Sequence, residues 1–139
     1  MANISQYLTK AMLDWTLQGA NPTRPAAFGI GLSQGSPTSI SGSEIGVTSN
    51  YSRLTAGAAS NSCFSAAGTP TSSGTTMNIS NLTFGPLSAA TISGLQIWDT
   101  VLSNNSGNML YYGLLTTART LVAGDSLVIA SNALTVALN

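Results

Sequence analysis

The sequence predicts a mainly β protein, an antiparallel β-sandwich of jelly-roll type with one N-terminal α-helix. Three observations predict this class. Apolar residues follow a helical spacing only up to residue 18, and after Pro25 the pattern changes to period two. Clusters of Gly, Ser, Thr and Asn then separate short apolar segments. Roughly seven or eight short strands at such spacing are typical of sandwiches and jelly rolls.

The N-terminal helix is predicted over residues 3–18. Asn3 is its expected N-cap, and Gln6, three residues later, completes a capping box. Gly19 provides a C-terminal stop, and the prolines that follow prevent continuation.

Two apolar sides are expected on this helix. Ile4, Leu8 and Trp15 recur at helical spacing, which predicts that they anchor the helix in the core. Leu13 and Leu17 lie on another side. A helix with two apolar sides is either well buried within its own chain or in contact with a partner, and Leu13 and Leu17 are the candidate interface residues on the second interpretation.

The β-sandwich is predicted over residues 26–139, and the whole chain, 1–139, is predicted to form a single domain. The expected strands are residues 27–32, 51–55, 77–84, 92–99, 108–115, 126–130 and 133–138. Their alternation predicts a set of core residues: Phe28, Ile30, Phe84, Ile97, Trp98, Leu127, Ile129 and Val136. Residues 56–75 are expected to form long loops or weak edge strands. A slip in alternation between Ile79 and Leu82 indicates a bulge.

The low charge of the chain limits its possible partners. Charged residues make up 6% of the sequence, against about 25% in ordinary soluble domains, and the formal net charge is +0. Four scattered cations form no basic stripe, so nucleic acid is not an expected partner. No apolar stretch is long enough to span a membrane, and we expect no signal peptide. A neutral surface favours association between copies.

Catalysis is not expected. The chain has no histidine, which removes the commonest general base and metal ligand. Residues 31–35 match the G-x-S-x-G motif by letters, but that motif needs a histidine partner and a strand-turn-helix context, so Ser33 is interpreted as a turn residue. Glu44 and Arg53 are expected to pair as a structural contact. We predict no catalytic residue, no metal and no cofactor.

Aromatic residues allow a second type of surface. Tyr111 and Tyr112 are candidate interface residues, and adjacent strand positions place them on opposite faces. Together with Trp98 they could form a platform for carbohydrate. The simpler interpretation is that all three pack the sandwich and its surface hairpin.

Several segments resemble a set of small structural proteins of tailed bacteriophages, often labelled tail fibre or minor structural proteins. The resemblance spans nearly the whole chain, and its clearest motifs are residues 13–15, 82–84, 94–99, 107–117 and 123–125. Some related small jelly-roll proteins serve as capsid cement. The resemblance implies a protein of the virion, assembled in the cytoplasm of the bacterial host.

Two roles within the virion stay open. A capsid cement subunit would bridge major capsid proteins, as a trimer of copies of itself, and this is the expected role. The alternative is a subunit of the tail fibre or tail tip that contacts other tail proteins and takes part in host attachment. A third class, a small secreted lectin-like module, differs from both because it would act alone.

Overall fold

The computed structural model describes residues 3–46, 50–57, 63–65 and 74–137, and these form nine strands and one helix. The helix is α1, Gln6–Gln18. The strands, in chain order, are β1 Asn3–Ile4, β2 Ala27–Ser33, β3 Leu54–Gly57, β4 Thr75–Met77, β5 Leu82–Phe84, β6 Ala90–Trp98, β7 Met109–Leu121, β8 Leu127–Ile129 and β9 Thr135–Ala137. Every strand pair is antiparallel. The predicted class, mainly β with an N-terminal helix, is confirmed.

A five-stranded sheet in the order β1-β7-β6-β2-β3 forms the main layer. Its centre is the pairing of β2 with β6, where Ile30 lies opposite Ile97 and Leu32 opposite Leu95. Because strand side chains alternate between faces, these four residues lie on one side of the sheet. All four are buried. Ile30, Leu32 and Leu95 belong to the apolar core cluster and form its floor.

A two-stranded ribbon of β5 and β8 covers this floor. Phe84 pairs with Leu127, and Leu82 pairs with Ile129. Leu82 and Phe84 are buried in the same apolar cluster as Ile30 and Leu32. The sandwich therefore consists of the sheet and this ribbon, with the apolar side chains of each filling the space between them. A second ribbon, β4 with β9, buries Val136.

The predicted strand 77–84 is divided into β4 and β5, which pair with different partners. Asn78, fully buried, separates them. Its amide nitrogen donates to the carbonyl oxygens of Ser80 and Ala130, each at 2.8 Å, and its oxygen accepts from the backbone nitrogen of Leu134 at 2.8 Å. One side chain thus makes three hydrogen bonds at the break between β4 and β5, and the slip predicted between Ile79 and Leu82 is this break rather than a bulge.

The helix begins later than predicted. Ser5, not Asn3, is the N-cap: its Oγ accepts from the backbone nitrogen of Leu8 at 3.1 Å. Asn3 belongs to β1, where it pairs with Tyr112. The predicted stop is confirmed, because Gly19 adopts φ 73° and its backbone N–H bonds to the carbonyl of Asp14, the left-handed cap that glycine favours.

Most of the predicted core residues are buried or partly buried. Trp98 is buried, but it lies on the opposite face of the sheet from the apolar cluster, beneath the Arg53 guanidinium.

The prediction for Trp15 is wrong, because its side chain is 54% exposed. Only the base of α1 is bonded to the sheet, so Trp15 projects beyond it. Ile4, on the edge strand β1, and Leu8, in the first half of α1, are partly exposed. Buried with the apolar cluster or packed against it are Phe28, Ile30, Phe84, Leu127 and Ile129.

Residues 56–75 lie only partly within the described chain. β3 extends to Gly57, and Phe64 forms an isolated bridge with Asn78 while packing against the core. The prediction of loops over 58–62 and 66–73 lies outside the described residues.

Candidate assembly surface

Three large apolar side chains in the second half of α1 are exposed. None of its residues is buried, and Leu13, Trp15 and Leu17 are 53%, 54% and 78% exposed. Large apolar side chains concentrated on one projecting element are typical of an interaction site, whereas scattered ones are ordinary. The candidate assembly surface is therefore the second half of α1.

This surface has two sides. Leu13 and Leu17 are four residues apart and share one stripe of the helix. Trp15 lies two residues from Leu17, which is a rotation of roughly 200° about the axis. The ion pair between Lys10 and Asp14 supplies the charge on α1. Apolar groups on both sides mean that one flat partner surface would cover only half of them.

Three hydrogen bonds hold the base of the helix. The backbone nitrogen of Ser5 donates to the carbonyl of Leu110 at 2.9 Å, and its Oγ donates to the carbonyl of Met109. The backbone nitrogen of Gln6 donates to the carbonyl of Ser39 at 3.0 Å. The helix is thus fixed to the start of β7 while its second half projects.

Tyr111 and Tyr112 lie on β7 beside β1. Tyr111 pairs with Ile97 and Tyr112 with Gln96, so their side chains point to opposite faces, as predicted. Both are half-buried, and burial raises the pKa of Tyr111. Trp98 is buried. Because the two tyrosines point to opposite faces and Trp98 is buried, these three aromatic residues form no common carbohydrate platform.

A buried ion pair supports the opposite face of the sheet. Arg53 Nε and Nη2 donate to Glu44 Oε1 and Oε2, each at 2.8 Å, and neither side chain is exposed. The Arg53 guanidinium carbon lies 4.1 Å from the centre of the Trp98 ring. The expected pairing of Glu44 with Arg53 is thus present, in its bidentate form.

This ion pair also fastens two loops. Arg53 Nη1 donates to the carbonyls of Thr100 and Ser106 at 3.0 and 2.9 Å, and the backbone nitrogen of Asn105 donates to Glu44 Oε2 at 2.7 Å. Residues 99–108 are therefore tied to the segment that carries Glu44. Within the described part of the chain, every buried side-chain nitrogen and oxygen has a hydrogen-bond partner.

Tyr51 completes this buried group. Its hydroxyl accepts from the backbone nitrogen of Leu32 at 2.9 Å and donates to Glu44 Oε1 at 2.9 Å. It thereby satisfies a β2 donor beyond the point where the pairing with β3 ends at Ile30 and Leu54. Burial, first of all, raises the pKa of this hydroxyl far above its ordinary value.

Replacing Tyr51 by phenylalanine should lower the free energy of unfolding by about 1–3 kcal/mol, because a buried donor and a buried acceptor lose their partner. The raised pKa of Tyr51 means that the folded state favours the neutral phenol. The contribution of Tyr51 to the free energy of unfolding is therefore complete below the ordinary phenol pKa of 10.0, and it falls as pH rises above that value. Urea unfolding at pH 8 and pH 10.5 measures both effects.

Tyr112→Phe is the matched control, since the Tyr112 hydroxyl makes no hydrogen bond to a described residue. An equal loss of stability in Tyr51→Phe and Tyr112→Phe would contradict the role given to Tyr51.

Ser33, the serine of the G-x-S-x-G match, is not placed as a nucleophile. It is fully buried at the end of β2, and its Oγ donates to the carbonyl of Gly42 at 2.9 Å. A loop follows β2 rather than a helix. Among the described residues, no group of His, Cys, Asp and Glu could hold a metal ion.

No helix in the described part of the chain is long and apolar enough to cross a membrane.

Comparison with known proteins identifies a family. No curated protein matches the sequence. A family model described as "Podophage GP4 fiber I protein gp80" matches residues 3–137. This match contains α1, both ribbons and the whole sheet, so the chain belongs to the podophage GP4 fiber I protein gp80 family, a family of bacteriophage structural proteins.

Proposed function

We propose that this chain is a structural subunit of a podophage tail fibre and that it assembles through α1. The exposure of Leu13, Trp15 and Leu17 on two sides of a weakly charged helix is the observation that carries the proposal. Large apolar side chains on two sides of a helix usually pack against other protein surface, and the described part of this chain leaves Leu13, Trp15 and Leu17 exposed.

The two-sided arrangement favours a ring over a twofold dimer. In a twofold dimer the same patch meets itself, so the other side of α1 would stay in water. In a closed ring each subunit uses two different surfaces, one toward each neighbour. A trimer is the smallest ring of this kind, and we propose a trimer of this chain.

The family description supports the tail-fibre role better than capsid cement, the role expected from the sequence. Both roles use the same neutral surface, so composition alone does not separate them. The fibre role assigns the chain to the tail, where its other partners are tail proteins.

Phage particles produced without this chain test the proposal. We expect them to lack fibre density in electron micrographs and to adsorb poorly to host cells, while their heads keep normal resistance to heat and osmotic shock. Complementation with the wild-type chain from a plasmid is the control. Heads that become fragile on tails that still carry their fibres would overturn the fibre role in favour of cement.

A further inference from the structure

A groove of about 640 Å³ lies at the base of α1. Its walls are the first turns of the helix, the loop at residues 39–42 and the segment 105–109. These three segments are far apart in sequence. The volume falls in the range of ordinary small-ligand sites.

Neutral polar side chains line part of this groove, beside Ile40, Trp98 and Met109, and several of these polar side chains have unused hydrogen-bonding capacity. The side chains of Gln6, Ser39, Ser41 and Asn105 make no hydrogen bond to any described residue. Amides and hydroxyls both donate and accept. Lys10 is the one charged residue in the described lining, and it is paired with Asp14. This chemistry suits a ligand rich in hydroxyls and without net charge.

An aromatic ring stands beside these groups. Tyr7 is 48% exposed and lines the groove, and its hydroxyl makes no hydrogen bond to a described residue. A ring with one apolar face and a polar tip packs against the C–H face of a pyranose while its hydroxyl meets the sugar oxygens. Trp98 also lines the groove but is buried, so it forms part of the wall rather than a stacking surface.

The groove is held in a fixed shape. The backbone of Asn105, at φ 55°, is held in place because its nitrogen donates a hydrogen bond to the buried carboxylate of Glu44. The 39–42 loop is bonded to the helix at Ser39 and to the sheet where Gln96 Nε2 donates to the carbonyl of Gly42. A Cβ at Gly42 would lie 2.4 Å from Gln96 Oε1, so only glycine fits there. Fixed polar groups lower the entropy cost of binding.

We infer that this groove binds a neutral carbohydrate, with Tyr7 stacking on a pyranose ring and Gln6 and Asn105 bonding to its hydroxyls. The inference goes beyond the structural role proposed above and does not depend on it, because Leu13, Trp15 and Leu17 are not among the residues that line the groove.

The test begins with an array of neutral and acidic oligosaccharides probed with the labelled full-length chain. The strongest neutral member is then titrated by calorimetry, with a Kd on the order of 1 mM or tighter expected. Tyr7→Ala should weaken binding roughly tenfold, and Gln6→Ala should weaken it several-fold. Tyr7→Phe, which keeps the ring, should bind more tightly than Tyr7→Ala.

Val128→Ala is the control, since Val128 is exposed on β8 and lies outside the groove; its affinity should equal that of the wild type. Circular dichroism establishes that each variant is folded. Binding of no neutral member, binding of acidic members alone, or equal affinity of wild type, Tyr7→Ala and Gln6→Ala would each overturn the inference. Loss of carbohydrate binding in a chain that still assembles separates this site from the assembly surface.

Discussion

Replacing Glu44 by alanine is expected to lower the free energy of unfolding by about 3–5 kcal/mol, a large share of the 5–15 kcal/mol that stabilises a typical domain. The substitution leaves the Arg53 guanidinium buried without its counter-ion. It also removes the acceptors for the Tyr51 hydroxyl and for the backbone nitrogen of Asn105. Urea unfolding followed by circular dichroism measures the change.

The exposed ion pair of α1 supplies the matched control. Lys10 and Asp14 are four residues apart on the helix surface, and removing the Asp14 carboxylate should cost less than about 1 kcal/mol. Similar effects of Asp14→Ala and Glu44→Ala would show that burial does not make the Glu44–Arg53 pair special. In a double-mutant cycle, the double variant Glu44→Ala, Arg53→Met should lose less free energy of unfolding than the two single variants lose together. The reason is that the double variant contains no unpaired buried charge.

The second large effect is expected on assembly. The wild-type chain should have a molar mass near three times its 14.1 kDa in light scattering after size exclusion. The double variant Leu13→Ser, Leu17→Ser should elute as a single chain. Burying a leucine side chain contributes roughly 1.5–3 kcal/mol, so two leucines per subunit account for more than a hundredfold in association.

Val128→Ser is the control for this variant, because it removes a comparably exposed apolar side chain (53%) from β8 rather than from α1. It should leave the mass unchanged. Trp15→Ser tests the other side of the helix and should also reduce the mass. A Leu13, Leu17 double variant that still forms the wild-type assembly would exclude this stripe as the contact, whatever the behaviour of Trp15→Ser.

Much of the sheet could be predicted because its strands alternate clearly. The segments around Ile30 and Ile97 carry large apolar residues at every second position, and such a pattern specifies both a strand and its buried face. The pairing of Glu44 with Arg53 was also predictable, since a chain with so few charges offers few partners. The break between β4 and β5 at Asn78 was visible only as a slip, because the sequence does not show that the Asn78 amide makes three hydrogen bonds there.

The helix shows where periodicity stops being informative. Spacing indicates which residues share a side of α1, but not whether the sheet extends far enough to cover them. Trp15 was therefore placed in the core and is exposed. The groove was not predicted at all, because its lining combines Trp98 with residues from 6–10, 39–42 and 105–109, and none of these three segments carries a motif of its own.

The attachment of α1 has a mechanical consequence. The segment of β1 and α1 is joined to the rest of the sheet by the two residue pairs of β1 with β7 and by the hydrogen bonds of Ser5 and Gln6. Within the sheet, β6 and β7 are joined to each other by eight residue pairs. If load reaches the chain through α1, as it would in the proposed fibre, we expect α1 and β1 to separate from β7 at a lower force than the one that unzips the sheet, which would leave the sandwich folded.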